Sequence, residues 1–216
     1  MVGKLIVFEG VEGSGKTTQL RRCSDWLQAS GLAVVTTREP GGTSLGLGLR
    51  QLLLEGHSSS IQDRAELLMY AADRSQHVEE FIKPQLALGA VILCDRYTDS
   101  TIAYQGYGRG LDLTLIQQLN QIATDGVESD LTLWLDIDAT MGLRRAQQRG
   151  SADRIEQADL AFHQRVQQGF TQLAASNPQR IVRIDASKSE EEVHLTIQEI
   201  LRQRFHSWFQ KLSQPS

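Results

Sequence analysis

The sequence predicts an α/β fold, a five-stranded parallel sheet sandwiched between two layers of helices. Three observations lead there. Short apolar runs alternate with longer helical patterns along the chain, as repeated β–α units with right-handed crossovers do. The apolar runs are continuous rather than alternating, which suits strands covered on both faces. The first run, Leu5-Ile6-Val7-Phe8, leads directly into a glycine-rich turn and then a helical pattern.

Taken in order, the first strand is read at Lys4–Glu9, followed by the turn Gly10–Thr17 and a helix over Lys16–Ser30. Gly31 stands where that helix should stop, as a C′ glycine. The second strand is Ala33–Arg38, ending in Glu39-Pro40-Gly41-Gly42. Helical patterns cover Ser44–Leu54 and then, as one long element, Ile61–Leu88. The third strand, Ala90–Asp95, is followed by Thr98–Gly110, whose polar, aromatic and glycine-rich composition reads as a loop lining a pocket. Asp112 is placed to N-cap a helix at Leu113–Thr124. The remaining elements are a strand at Leu131–Asp136, helices at Met141–Gln148 and Asp159–Ala175, a strand at Arg180–Asp185 and a helix at Glu190–Leu212. Ser213–Ser216 reads as a frayed end. No repeat, linker or low-complexity tract divides the chain, so residues 1–216 are expected to form one domain.

Composition narrows the class. At 216 residues with 22% charged and 40% hydrophobic side chains, the chain is expected to be soluble, globular and able to bury a sizeable core. A net charge of −4 gives no overall pull toward nucleic acid or an anionic membrane. Met1-Val2-Gly3-Lys4 leads into an apolar run too short for a secretory leader, and no stretch approaches the ~20 apolar residues of a membrane span. Cys23 and Cys94 lack metal spacing, and each falls in a helix or buried strand. A disulfide is not expected, and a cytoplasmic location is.

The chemistry concentrates at the strand ends. Gly10-Val11-Glu12-Gly13-Ser14-Gly15-Lys16-Thr17 matches G-x-x-x-x-G-K-[ST] between a strand and a helix. Backbone N–H groups in such a loop converge on phosphate, with Lys16 reaching the β/γ-phosphates and the Thr17 hydroxyl available to Mg²⁺. In parallel sheets ligands bind beyond the carboxyl ends of the strands, where Arg38-Glu39, Asp95-Arg96 and Asp136-Ile137-Asp138 also fall. Asp95 is the preferred magnesium ligand, with Asp136 and Asp138 as competitors, because Arg96 follows it and can grip phosphate oxygens. Arg144, Arg145, Arg149 and Arg154 make a locally cationic segment, roughly 144–156, suited to a short basic lid over a triphosphate. Tyr70 and Arg74 lie four apart on a helical pattern and share a face. Their spacing fits an ordinary core tyrosine beside a surface arginine, and also a stacking ring beside a base-reading guanidinium. Gln105 can both donate to and accept from a nucleobase edge.

Together these residues resemble the thymidylate kinase family, bacterial type, within the phosphate-loop nucleoside-monophosphate kinases. The resemblance is carried jointly by Gly10–Thr18, Arg38-Glu39-Pro40-Gly41-Gly42-Thr43, Asp95-Arg96-Tyr97, Ala103-Tyr104-Gln105-Gly106 and Asp153-Arg154-Ile155-Glu156-Gln157. It implies transfer of the ATP γ-phosphate to dTMP with Mg²⁺, ATP held by Gly10 through Thr17, and a homodimer. It also implies roles for single residues. Glu12 would meet the acceptor deoxyribose, and Arg38, Arg96 and Glu39 would lie near the acceptor phosphate. Tyr70, usually Phe, would stack on thymine, and Arg74 would contact a thymine carbonyl. Thr101 and Gln105 would meet the base, Tyr104 would pack against the sugar, and Arg50 would be a further pocket arginine. No arginine lies between Gly10 and Gly15, so the resemblance assigns the catalytic lid arginine to Arg145, Arg149 or Arg154, beside Lys16 and Arg96. The alternatives are a kinase for another nucleoside or monophosphate and, remotely, a non-enzymatic nucleotide switch. The chain lacks the Asn-Lys-x-Asp element that a guanine-reading switch needs.

Overall fold

Each apolar run becomes a strand in the computed structural model, which describes residues 3–55, 61–148, 150 and 153–210. The strands are β1 Lys4–Glu9, β2 Val34–Arg38, β3 Val91–Asp95, β4 Leu131–Asp136 and β5 Ile181–Asp185. They form a five-stranded sheet in the order β2-β3-β1-β4-β5, with every pair parallel. Leu5, Ile6, Val7 and Phe8 are all fully buried because β1 is central and both faces of the sheet are covered. Ile6 and Phe8 join Leu93, Leu133 and Leu135 in one core, while Leu5 and Val7 join Ile92, Val78 and Ile82 in the other. Register decides the site: Phe8 and Arg38 both lie opposite Asp95, so β1, β2 and β3 end at one edge.

The helices are α1 Lys16–Ala29, α2 Ser44–Glu55, α3 Asp63–His77, α4 Lys83–Ala87, α5 Thr98–Thr101, α6 Leu113–Thr124, α7 Ala139–Gln147, α8 Leu160–Ser176, α9 Glu190–Arg204 and α10 His206–Gln210. Several begin where side chains satisfy the free N–H groups of the first turn. Asp112 accepts from Leu115 N at 2.8 Å, Asp138 from Thr140 N and Met141 N, and Asp159 from Phe162 N at 2.6 Å. A reciprocal Ser189–Glu192 box opens α9. No helix among the described residues is long and apolar enough to cross a membrane.

Three elements differ from the sequence expectation. The long helix read over Ile61–Leu88 is broken by a π-helical stretch at Val78–Ile82, between α3 and α4. Pro84 follows that stretch; it has no N–H and clashes with a carbonyl one turn back. The wider turn, closed by Lys83 N on Val78 O, lets the chain pass the proline. The segment Thr98–Gly110, expected as a loop, is α5 continued by a π-helical stretch over Ile102–Gly108. Its glycines serve close packing: a Cβ on Gly106 would stand 2.5 Å from Leu113 Cδ2, and one on Gly108 2.7 Å from Phe162 Cε2. The last helix stops at Arg204 and restarts as α10, which stacks Trp208 on Phe205 with centroids 4.2 Å apart and brings both rings into the core. The expected frayed end, Ser213–Ser216, lies outside the described residues. Cys23 and Cys94 are buried free thiols.

Candidate active site

The turn between β1 and α1 forms the phosphate loop. Lys16 is buried, and its Nζ donates to Gly10 O at 2.9 Å and Val11 O at 3.0 Å. Burial, and then the positive charge of Arg96, lower the Lys16 pKa to about 8, against the pull of Glu12 and Asp95. A buried ammonium beside a guanidinium is an environment that an anion relieves. Thr17 Oγ1 donates to Asp95 Oδ2 at 2.9 Å, so the two proposed magnesium ligands meet at the mouth of the loop.

Arg96 sits next to the loop in a left-handed backbone conformation, φ 72°. Its guanidinium donates to Gly10 O at 3.1 Å, Ser100 Oγ at 3.1 Å and Glu12 Oε1 at 2.6 Å, and it lies over the Tyr104 ring. Tyr104 Oη donates to the second Glu12 oxygen. Burial pushes the Glu12 pKa up, but Arg96, Lys16 and the Tyr104 hydrogen bond outweigh it and keep the carboxyl below its usual range. Beneath them, Glu9 accepts from Tyr97 N at 2.9 Å, Ser100 N at 3.0 Å and Ser100 Oγ at 2.6 Å. Those bonds anchor the turn that carries Arg96. Burial pushes the Glu9 pKa up to about 7, with Arg96 opposing and Asp99 assisting.

These groups open onto a cleft of about 220 Å³. The loop contributes Glu12, Gly13, Gly15, Lys16 and Thr17, and the strand ends contribute Arg38, Glu39, Asp95 and Arg96. The far wall is Arg50 on α2, Tyr70 and Arg74 on α3, and Thr101, Tyr104 and Gln105 on the α5 segment. Arg74 is buried and donates to Glu39 Oε2 at 2.8 Å, Thr101 Oγ1 at 2.8 Å, Asn120 Oδ1 at 2.7 Å and Tyr97 O at 3.0 Å. A guanidinium has five N–H groups, which leaves one, on Nη2, without a partner among the described residues. His77 Nδ1 meets the other Glu39 oxygen at 2.9 Å, and its Nε2 meets Thr37 Oγ1 at 2.6 Å. Arg38 is exposed and has no hydrogen-bond partner among the described residues. Arg50 donates to Pro40 O at 3.0 Å.

Comparison with known proteins agrees with this geometry. The family model "Thymidylate kinase" matches residues 8–197. The chain belongs to the thymidylate kinase family. It is 66% identical to the thymidylate kinase of Nostoc punctiforme, over 94% of this chain and 97% of that protein. It is 57% identical to that of a Cyanothece species, over 99% of each. The crystal structure of thymidylate kinase from Ehrlichia chaffeensis superposes with a TM-score of 0.76 at 37% identity, covering 93% of this chain and 99% of that one.

Not every expected residue of this thymidylate kinase family member reaches the first cleft. Arg145, on α7, lies on the other side of the phosphate loop and donates to Ala186 O at 3.0 Å. There it lines a second cleft with Gly13, Thr18, Gln19, Lys188 and Ser189. Arg154 donates through Nε to Leu53 O at 2.8 Å and through Nη2 to Glu66. The turn that carries it is fastened by Asp153 Oδ1, which accepts from Ile155 N and Glu156 N, both at 2.9 Å. Arg149 lies outside the described residues. The competing magnesium candidates have other work: Asp138 caps α7, and Asp136 accepts from Gln167 and Arg183. Sequence reading missed Glu9, Glu66, His77 and Asn120. Buried acids inside helical or strand patterns were the available signal, at Glu9 directly before the loop and at Glu66 one turn before Tyr70.

Proposed function

We propose that the chain transfers the γ-phosphoryl group of MgATP to dTMP, giving dTDP and ADP, by direct in-line displacement, and so serves dTTP synthesis. The observation that carries this reading is a single cleft with two chemical ends. Lys16, Thr17, Asp95 and Arg96 gather at the phosphate-loop end, and Tyr70, Arg74, Thr101 and Gln105 form an aromatic and polar wall at the other. In this reading Gly10 through Thr17 cradle the ATP phosphates, and the second cleft beyond Gly13 takes the donor nucleoside between Arg145 and Lys188.

The acceptor is already a phosphate monoester dianion, so no strong general base is needed. Catalysis is then positioning and charge neutralisation. Lys16 and Arg96 are the cations nearest the transferring group. Arg38 and Arg50 hold the acceptor phosphate, while Glu12 and Tyr104 position the sugar. Tyr70 stacks on the base, with Arg74, Thr101 and Gln105 on its edge. Thr17 Oγ1 and Asp95 Oδ2 are hard oxygen donors in contact at the loop mouth, which suits Mg²⁺. When bound, that ion neutralises phosphate charge. We read the protein as a cytoplasmic homodimer. Exposed Leu52 on α2, Leu68 on α3 and Ile122 on α6 favour an apolar contact between copies.

A coupled ADP-release assay over deoxynucleosides and nucleoside monophosphates tests the reading. dTMP is expected to give the highest kcat/KM. A different monophosphate or a nucleoside outperforming it by tenfold would overturn the assignment.

A further inference from the structure

We propose that Glu66, a fully buried acid that does not touch the base, is a positioning residue that sets the hydrogen-bond polarity of Gln105 and thereby selects an imide base over cytosine. The inference rests on the reading that this cleft seats a pyrimidine. Glu66 is 0% exposed and gathers donors from three directions. Gln105 Nε2 reaches its Oε1 at 2.8 Å, Arg109 Nη2 reaches Oε2 at 3.2 Å, and Arg154 Nη2 reaches the same oxygen. Burial alone would raise its pKa, but the hydrogen bonds from Gln105 and Arg154 and the charges of both arginines carry it below the usual 4.5.

An ionised carboxylate accepts and cannot donate. The amide of Gln105 can therefore turn only its NH₂ toward Glu66. Its Oε1 accepts nothing from the described residues and belongs to a side chain that lines the cleft. Glu66 thus fixes Gln105 as an acceptor toward the ligand. The neighbouring group can donate. Arg74 Nη1 donates to Thr101 Oγ1 at 2.8 Å, so Thr101 keeps its own hydroxyl proton free to donate. The wall therefore offers an acceptor locked by a buried ion beside a hydroxyl whose proton is free to donate. Thymine and uracil present an N3–H beside a carbonyl, the complement of that pair. Cytosine presents a bare N3, so its lone pair faces the fixed Gln105 oxygen with no proton between them. A polar group left facing its own kind in a dry site is strongly rejected.

Glu66→Gln removes the constraint, because an amide at 66 can accept as well as donate and lets Gln105 turn over. The measurement is kcat/KM for dTMP, dUMP and dCMP. The dTMP-to-dCMP ratio is expected to fall at least tenfold, while the dUMP-to-dTMP ratio stays within about twofold, since both bases are imides. Loss of the contacts to Arg154 and Arg109 slows all three substrates alike and leaves both ratios unmoved, so an unchanged dTMP-to-dCMP ratio in a folded variant overturns the proposal. The swap Glu66→Gln with Gln105→Glu keeps an acid facing an amide and returns an acceptor to the cleft. It is expected to restore the ratio, and failure to do so counts against the proposal. The unaltered protein supplies an arm independent of folding. N3-methyl-dTMP, which has lost the donor, should be used at least tenfold less well than dTMP, and equal use overturns the proposal. Absence of dTMP kinase activity in the unaltered protein would instead sink the substrate assignment itself.

Discussion

Arg74→Met removes a cation whose surroundings were built around it. Arg74 is 2% exposed and Glu39 is 4% exposed. The substitution strands Glu39 as a buried carboxylate and deprives Thr101, Asn120 and Tyr97 O of their donor. Breaking a buried ion pair from one side costs about 3–5 kcal/mol. His77 Nδ1 still meets the second Glu39 oxygen at 2.9 Å, so part of the solvation remains and the lower figure applies. A loss of about 3 kcal/mol corresponds to a fall in Tm of roughly 10 °C for a chain of this size. Urea unfolding followed by circular dichroism measures it. The double variant with Glu39→Gln removes the stranded charge and is expected to recover at least ~1 kcal/mol relative to Arg74→Met alone. An Arg74→Met protein within about 1 kcal/mol of its parent, or singles that simply add, would refute the view that the Arg74 guanidinium is a buried structural ion. Arg74→Lys keeps the charge and loses the fork, so it should fold better than Arg74→Met yet still raise the KM for dTMP.

Three further outcomes follow from the same geometry. Lys16→Ala should lower kcat/KM by about 10³-fold or more in steady-state assays, several kcal/mol of transition-state stabilisation; near-normal turnover would contradict its role. Tyr70→Ala should raise the KM for dTMP about tenfold or more and leave that for ATP within about twofold, and Tyr70→Phe then separates ring from hydroxyl. Glu9 holds its proton more tightly folded, with a pKa of about 7, than at its ordinary 4.5. The native state therefore binds more protons than the unfolded chain across that interval, and stability falls as pH rises from about 5 to about 7, by about 3 kcal/mol at most. Glu9→Gln should flatten that slope in urea titrations, while a slope equal to the parent's would remove Glu9 as its source.

The features legible in the sequence are those with local periodicity. Leu5–Phe8 reads as a buried strand because four apolar residues run without a break, and the loop reads as a phosphate site because its glycines and Lys16 are adjacent. Parallel pairing then fixes the shared edge, so Arg38, Asp95 and Arg96 fall beside the loop as expected. The misreadings have a common cause. Gly106 and Gly108 look like loop residues locally, whereas α6 and α8 require their missing side chains for contact. Spacing puts Arg145 and Arg149 on one helical face without saying on which side of the loop Arg145 falls, and Arg149 lies outside the described residues. The partners of these buried groups lie far off in the chain: Arg74 meets Asn120 46 residues away, and Arg154 meets Glu66 88 residues away. No local pattern announces such pairs.

Those pairs sort the arginines in and behind the cleft by physical role. An arginine matched by a buried carboxylate has its charge neutralised and most of its donors occupied, so it shapes a wall. Arg74 on Glu39 and Arg154 on Glu66 are of this kind. An arginine without such a match keeps both charge and donors for a ligand. Arg38 has no acidic partner among the described residues, and Arg50 has only the Pro40 carbonyl. Burial, and then the positive charge of Arg38, lower the Arg50 pKa. Two guanidinium groups held close enough to repel one another are stabilised by a shared anion. Arg96 stands between the classes, bound to Glu12 yet stacked at the loop mouth. On the proposed reading, the acceptor phosphate therefore belongs with Arg38 and Arg50, and Arg96 bridges it to the transferring group.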